Sequence, residues 1–175
     1  MTRDPTIGWI GLGKMGLPIS GRLVESGRAV SGYDRAQQAI AAAAGRGVAP
    51  AATLRAAADK DVVFTSIPDD AALRAVALGE DGLLGAMRPG AIWCETSTVS
   101  PEASAEVGRA AAEAGIAYLR MPVSGNAAIA HTGALTCFVS GPQEAFDGVR
   151  PVAADFTRAQ KYLGPGEEAR YAKLA

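Results

Sequence analysis

Short apolar runs alternate with Ala-rich amphipathic stretches along this chain, the pattern of βαβ units built around a parallel sheet. Thr6–Ile10, Arg28–Tyr33, Gly90–Glu95, Gly115–Arg120, Ala134–Ser140 and Arg158–Leu163 read as strands. Asp61–Ile67, with its continuous Val62-Val63-Phe64, reads as a strand buried on both faces. Helices are predicted over Lys14–Ser26, Arg35–Ala44, Thr53–Ala58, Asp69–Leu78, Pro101–Ala114 and Pro142–Ala153. Two of them carry start signals: Asp69 and Asp70 suit a positive helix end, and Ser100 stands as N-cap before Pro101. A Gly164-Pro165-Gly166 turn then opens a last helix, Glu167–Ala175, that stops with no C-cap signal.

Between the first strand and the first helix lies Gly11-Leu12-Gly13-Lys14-Met15-Gly16, a G-x-G-x-x-G run. The first glycine permits a tight turn, the second lets backbone N–H groups approach a pyrophosphate, and the third lets the helix pack closely on the sheet. The second strand ends at Tyr33-Asp34, 18 positions after Gly16 (34 − 16), near the ~20 at which a ribose-binding acid follows the glycines. Together these features predict an α/β, Rossmann-type doubly wound, mostly parallel sheet that binds a dinucleotide. A carboxylate at Asp34 accepts hydrogen bonds from ribose hydroxyls and repels a 2′-phosphate, which favours NAD; Arg35 beside it keeps NADP possible.

Composition narrows the class. The 175 residues are 49% hydrophobic and 20% charged, with a net charge of −1 and scattered basic residues, so no nucleic-acid partner is expected. No apolar run approaches the ~20 residues that span a bilayer, and the N-terminal residues do not read as a signal peptide; no membrane partner and a cytoplasmic location are expected. Cys94 and Cys137 lie in apolar strand-like stretches and read as small buried residues rather than as a disulfide or metal site. His131, the only histidine, reads as a solvated turn residue.

Beyond the glycine loop, four segments follow in order: Ser66-Ile-Pro-Asp69, Glu95-Thr-Ser-Thr-Val-Ser-Pro101, Pro122-Val-Ser-Gly125 and Gly164-Pro-Gly-Glu-Glu-Ala-Arg-Tyr-Ala-Lys173. With Gly11–Leu23 they make the whole chain resemble the β-hydroxyacid dehydrogenases, which include 3-hydroxyisobutyrate dehydrogenase and 2-hydroxy-3-oxopropionate reductase, with 6-phosphogluconate dehydrogenase more distant. The resemblance implies that Ile67 and Pro68 line the cofactor cleft and that Thr98 sits against the nicotinamide ribose. It implies that Ser124, Gly125 and Asn126 hold a small hydroxy-acid substrate, and that Lys173 is the catalytic general acid and base. Retention of Lys173 argues against the related imine reductases. Arg120-Met121, Ile129 and Ala134 depart from the family pattern and leave the particular hydroxy acid open.

On this reading residues 1–163 form the dinucleotide-binding domain and residues 164–175 begin the interdomain helix that carries the lysine. The family's C-terminal all-α domain, which closes the cleft and makes the full-length protein a homo-oligomer, is absent. Lys173 is then expected on a fraying end, and the chain is expected to bind cofactor but to turn over poorly. The competing reading is a non-catalytic NAD(P)-binding sensor or assembly module, which has no need of either the loop or the lysine.

Overall fold

The computed structural model describes residues 3–175. In chain order these form β1 (Ile7–Ile10), α1 (Gly16–Glu25), β2 (Val30–Tyr33), α2 (Gln37–Ala44), β3 (Ala49–Pro50), α3 (Leu54–Ala58), β4 (Val62–Thr65), α4 (Asp70–Leu78) and α5 (Leu83–Ala86). β5 (Ile92–Glu95), α6 (Pro101–Glu113), β6 (Ala117–Arg120), β7 (Val123–Ser124), α7 (Ala127–His131), β8 (Leu135–Ser140), α8 (Gln143–Ala153), β9 (Thr157–Gly164) and α9 (Glu168–Leu174) follow. Every predicted strand and helix is present. The short β3, α5 and β7 have no strand- or helix-length signal in the sequence.

One sheet joins the nine strands, its path running β3-β2-β1-β4-β5-β6-β8-β7 with β9 added on β8. From β3 to β6 every pairing is parallel, and β8 then runs antiparallel to β6. The chain builds outward from β1 to β3, returns to β4 beside β1, and builds the other way. That reversal opens a crevice beyond the carboxyl ends of β1 and β4, where open α/β sheets take their ligands.

Side chains alternate between two cores because successive residues of a strand face opposite sides. Ile7, Trp9, Phe64 and Cys94 join one core with Ile19, Leu23, Phe146 and Phe156. Ile10, Val63 and Trp93 join the other with Leu73, Leu83 and Val107. Coverage of both faces is why β1 and β4 are buried throughout. Trp9 stacks on Phe64 with ring centroids 4.9 Å apart and meets Phe156 edge-on. Cys94 and Cys137 are free thiols in the first core, and burial raises both above the usual thiol pKa. Among the described residues no helix is long and apolar enough to cross a membrane.

Capping follows the sequence closely. The Ser100 hydroxyl accepts from Ala103 N at 3.1 Å and the Asp69 carboxylate accepts from Ala72 N at 2.8 Å. Asp70 reaches instead to Ser100 N at 2.8 Å, tying α4 to α6.

Asp61 anchors the N-terminal segment. It accepts from Thr6 N (2.8 Å) and Thr6 Oγ1 (3.0 Å) and pairs with Arg3 (3.1 Å). The Thr6 backbone bond, above all, holds this carboxyl below its ordinary pKa. A depressed folded-state value contributes stability that is complete above about pH 4, the ordinary Asp range, and is lost as pH falls through the folded value. Asp61→Asn is therefore expected to lower Tm at neutral pH. Thermal scans against pH should show the gap from the parent closing below about pH 4.

Candidate functional site

The glycine loop leaves β1 under tight steric control. Gly11 has φ +91°, and a Cβ there would lie 1.9 Å from Ser66 O. At Gly16 a Cβ would lie 1.8 Å from Gly11 O and 2.9 Å from Trp9 Nε1. The Trp9 indole also donates to Gly11 O at 3.1 Å, so a core aromatic props the loop from below. Gly13 differs: a Cβ there would meet nothing within 4 Å. Protein backbone excludes side chains at Gly11 and Gly16, whereas Gly13 faces open space on the cleft side. No side chain caps the start of α1; Leu17 N donates to Gly13 O at 3.0 Å and Pro18 has no N–H, so the Gly16 N–H is the group of the first turn left for an anion.

Asp34 closes the loop. Its two oxygens accept from Leu12 N and Ala36 N, each at 2.8 Å. The Leu12 side chain is buried in the core and lies against Gly32, so this residue serves the loop through its N–H.

From this loop a cleft of about 1110 Å³ runs across the carboxyl edge of the sheet. It is lined by Gly11, Gly13, Lys14, Met15, Gly16, Asp34 and Arg35 at one end, by Ile67, Pro68 and Thr98 along its side, and by Gly125 and Lys173. Its volume is at the upper end for small-molecule sites, which suits an extended dinucleotide. With the open face at Gly13 and the uncapped α1, the residues present fit such a cofactor. Tyr33, Thr53, Arg55 and Val76 also line it. No motif marks them; only their places at the end of β2, at the start of α3 and on α4 bring them in.

Of the three substrate-loop residues Gly125 lines the cleft, and Ser124 reaches it through Lys173. Ser124 is half-buried, and its hydroxyl accepts from Lys173 Nζ at 3.2 Å. Gly125 has φ +133°, and a Cβ there would lie 2.6 Å from Leu135 Cδ2. Asn126 is the N-cap of α7, its side-chain oxygen spent on Ile129 N at 3.0 Å, and it lies outside the cleft lining. His131 also lies outside the cleft, with Nδ1 2.8 Å from Arg46 Nη1.

Lys173 is not on a loose end. One turn before it, Arg170 is 1% exposed and ion-paired to the fully buried Glu95 at 2.7 Å. The same guanidinium donates to Ser97 O (2.7 Å), Ser104 Oγ (3.1 Å) and Tyr118 OH (3.0 Å). Ala169 N donates to Ser140 Oγ at 3.1 Å. The fraying expected from the sequence is thus corrected: buried contacts hold α9 against the sheet edge. A neighbouring pair, Arg120–Glu167, braces the start of the helix.

Comparison with known proteins agrees with this architecture. Residues 6–164 match the family model for the NAD binding domain of 6-phosphogluconate dehydrogenase. The chain is 34% identical to an NAD-dependent L-serine dehydrogenase of Pseudomonas aeruginosa over 169 residues, which covers 96% of this chain and 57% of that protein. A structure of Mycobacterium tuberculosis 3-hydroxyisobutyrate dehydrogenase with L-serine superposes with TM-score 0.93 at 32% identity, covering 98% of this chain and 58% of that one. A structure described as Psf3 in complex with NADP+ and 2-OPP gives TM-score 0.93 at 30% identity, covering 97% of this chain and 60% of that one. The chain therefore spans a little over half the length of these relatives. It belongs to the family of the NAD binding domain of 6-phosphogluconate dehydrogenase, whose members similar to it include β-hydroxyacid dehydrogenases.

Proposed function

We propose that this chain is the cofactor-binding and lysine-bearing part of an NAD-dependent oxidoreductase that interconverts a small β-hydroxy acid and its semialdehyde or ketone. The observation that carries the reading is the Lys173 ammonium, 3.2 Å from the Ser124 hydroxyl, in the same cleft as the glycine loop and Asp34. Relatives named for L-serine and 3-hydroxyisobutyrate support a short 3-hydroxy acid with a small substituent on C2.

When bound, the nicotinamide supplies or takes the hydride. The chain's own groups handle position and proton. Gly13 leaves room for the pyrophosphate, and the start of α1 offers partial positive charge to it. Ile67, Pro68 and Thr98 border the middle of the cleft. Ser124 and Gly125 present a hydroxyl and backbone to the substrate's oxygens. Lys173 gives a proton to the carbonyl oxygen in reduction, and its neutral amine takes the hydroxyl proton in oxidation. Retention of both Lys173 and the Ser124–Gly125 loop favours an enzyme over a sensor.

The test is a steady-state assay of L-serine and 3-hydroxyisobutyrate with NAD, on this chain and on a longer version carrying a following helical domain. The longer protein is expected to form reduced cofactor, and this chain alone to bind NAD with poor turnover. Cofactor binding without hydride transfer in the longer protein would favour the sensor reading.

Asp34 governs the choice of cofactor. A carboxylate there loses its hydrogen bond to the 2′-oxygen when that oxygen carries phosphate, and repels the added charge. Calorimetry is expected to show NAD tighter than NADP by about 10- to 100-fold, the worth of one hydrogen bond to a charged group. Asp34→Ser should narrow that ratio, since Arg35 and Arg55 line the same end. Equal affinities in the parent chain would remove Asp34 from this role.

A further inference from the structure

We propose that the buried Glu95–Arg170 pair positions Lys173 by locking α9 to the loops that follow β4 and β5. The proposal rests on the acid–base reading of Lys173 given above. Arg170 and Lys173 are three residues apart and so are neighbours on the helix surface. The start of α9 has no side-chain N-cap bond to fix it. Its place depends on what it is tied to.

Arg170 makes four of those ties. Its Nη2 donates to Glu95 Oε2 (2.7 Å) and Tyr118 OH (3.0 Å), Nη1 to Ser97 O (2.7 Å), and Nε to Ser104 Oγ (3.1 Å). Glu95 uses its other oxygen for Ser97 N (3.0 Å), the Ser97 hydroxyl and Thr65 Oγ1 (3.3 Å). Having donated to Glu95, the Ser97 hydroxyl accepts from Ile67 N at 2.7 Å. One charge pair therefore references Ile67, the Thr96–Thr98 loop, α6 and the lysine helix to a common point. Thr96, Ser97, Thr98 and Ile67 all line the cofactor cleft.

A pair of well-fitting apolar side chains would stabilise such a core at least as well as a buried ion pair. What the guanidinium adds is direction: its planar fork fixes several acceptors at once, which an ammonium on a flexible stem does not. Arg170→Lys keeps the charge opposite Glu95 but gives up the fork. It is expected to leave the fold in place and to let Lys173 drift from Ser124.

The experiment labels the four lysines of the chain (Lys14, Lys60, Lys161 and Lys173) by reductive methylation with isotope-labelled methyl groups. NMR then follows the Lys173 signal as NAD is added, assigned with Lys173→Arg in the parent and again in the Arg170→Lys background, where the introduced side chain adds a fifth signal. In the parent chain the signal is expected to shift on saturation with NAD. In Arg170→Lys the shift is expected to be lost even at NAD saturation, with the saturating concentration set by calorimetry on that variant. Tyr118→Phe, which removes one contact to Arg170 and keeps the ion pair, is expected to show a reduced shift and decides the matter if Arg170→Lys does not fold. A general loss of stability would lower Tm without uncoupling Lys173 from NAD. If the parent signal responds and both folded variants respond in full, the positioning proposal is overturned and the acid–base reading stands. If NAD binds the parent chain and its Lys173 signal does not respond, the acid–base reading fails and takes this proposal with it.

Discussion

Replacing Lys173 with alanine is expected to lower turnover of a β-hydroxy acid by about 10²- to 10⁴-fold, the usual worth of a positioned general acid or base. Affinity for NAD should be nearly unchanged. Lys173 stands at the Ser124 end of the cleft, whereas the glycine loop and Asp34 define the other. On the proposed reading, a change confined to the lysine removes the proton donor and leaves the glycine loop and Asp34 untouched. The measurement is kcat in the longer protein, paired with calorimetric titration of NAD. A drop in NAD affinity that matched the drop in kcat would mean that Lys173 serves binding, and the chemical role would be wrong.

Gly13→Ala is expected to separate stability from cofactor binding. A methyl there meets no protein atom within 4 Å, and Gly13 is not at positive φ. Alanine should therefore be neutral or slightly stabilising, by up to about 1 kcal/mol through lost unfolded-state freedom. The same methyl projects into the space assigned to the pyrophosphate. Overpacking of a close contact costs about 1–3 kcal/mol, so NAD affinity should fall about 10- to 100-fold. Gly16→Ala makes the opposite control, since its methyl would lie 1.8 Å from Gly11 O and destabilise the fold itself. Thermal scans and NAD titrations of the two variants should give opposite patterns.

These expectations show where sequence reading was sufficient. β1, the glycine loop, α1 and Asp34 form a local unit whose spacing follows from strand and helix geometry, so they were legible residue by residue. The Ser100 cap is legible for the same reason, since it bonds to a backbone N–H three residues on; Asp69 reads as a charge at the helix start and serves as its N-cap. Contacts across long separations were not. Trp9 props the loop through its indole, and nothing in Ile-Gly-Trp-Ile distinguishes that from an ordinary core aromatic.

Asn126 is instructive in another way. The resemblance gives it a substrate-binding role; α7 uses its side-chain oxygen as an N-cap, a contact that engages the oxygen and not the amide N–H groups. Arg170 stands within the last motif with nothing local to mark its role. Its partners are Glu95, Ser97, Ser104 and Tyr118, which the topology alone brings together. For the same reason the end of the chain read as loose, although the structure ties it down.

The claim on which the rest depends is that the glycine-loop cleft takes NAD and that Lys173 does chemistry beside it rather than binding. Calorimetric titration of NAD into the parent chain, Gly13→Ala and Lys173→Ala tests it most directly. One-to-one binding of closely similar affinity in the parent and Lys173→Ala, with a loss of about tenfold or more in Gly13→Ala, is the predicted result. No binding to the parent chain, or undiminished binding to Gly13→Ala, would contradict it.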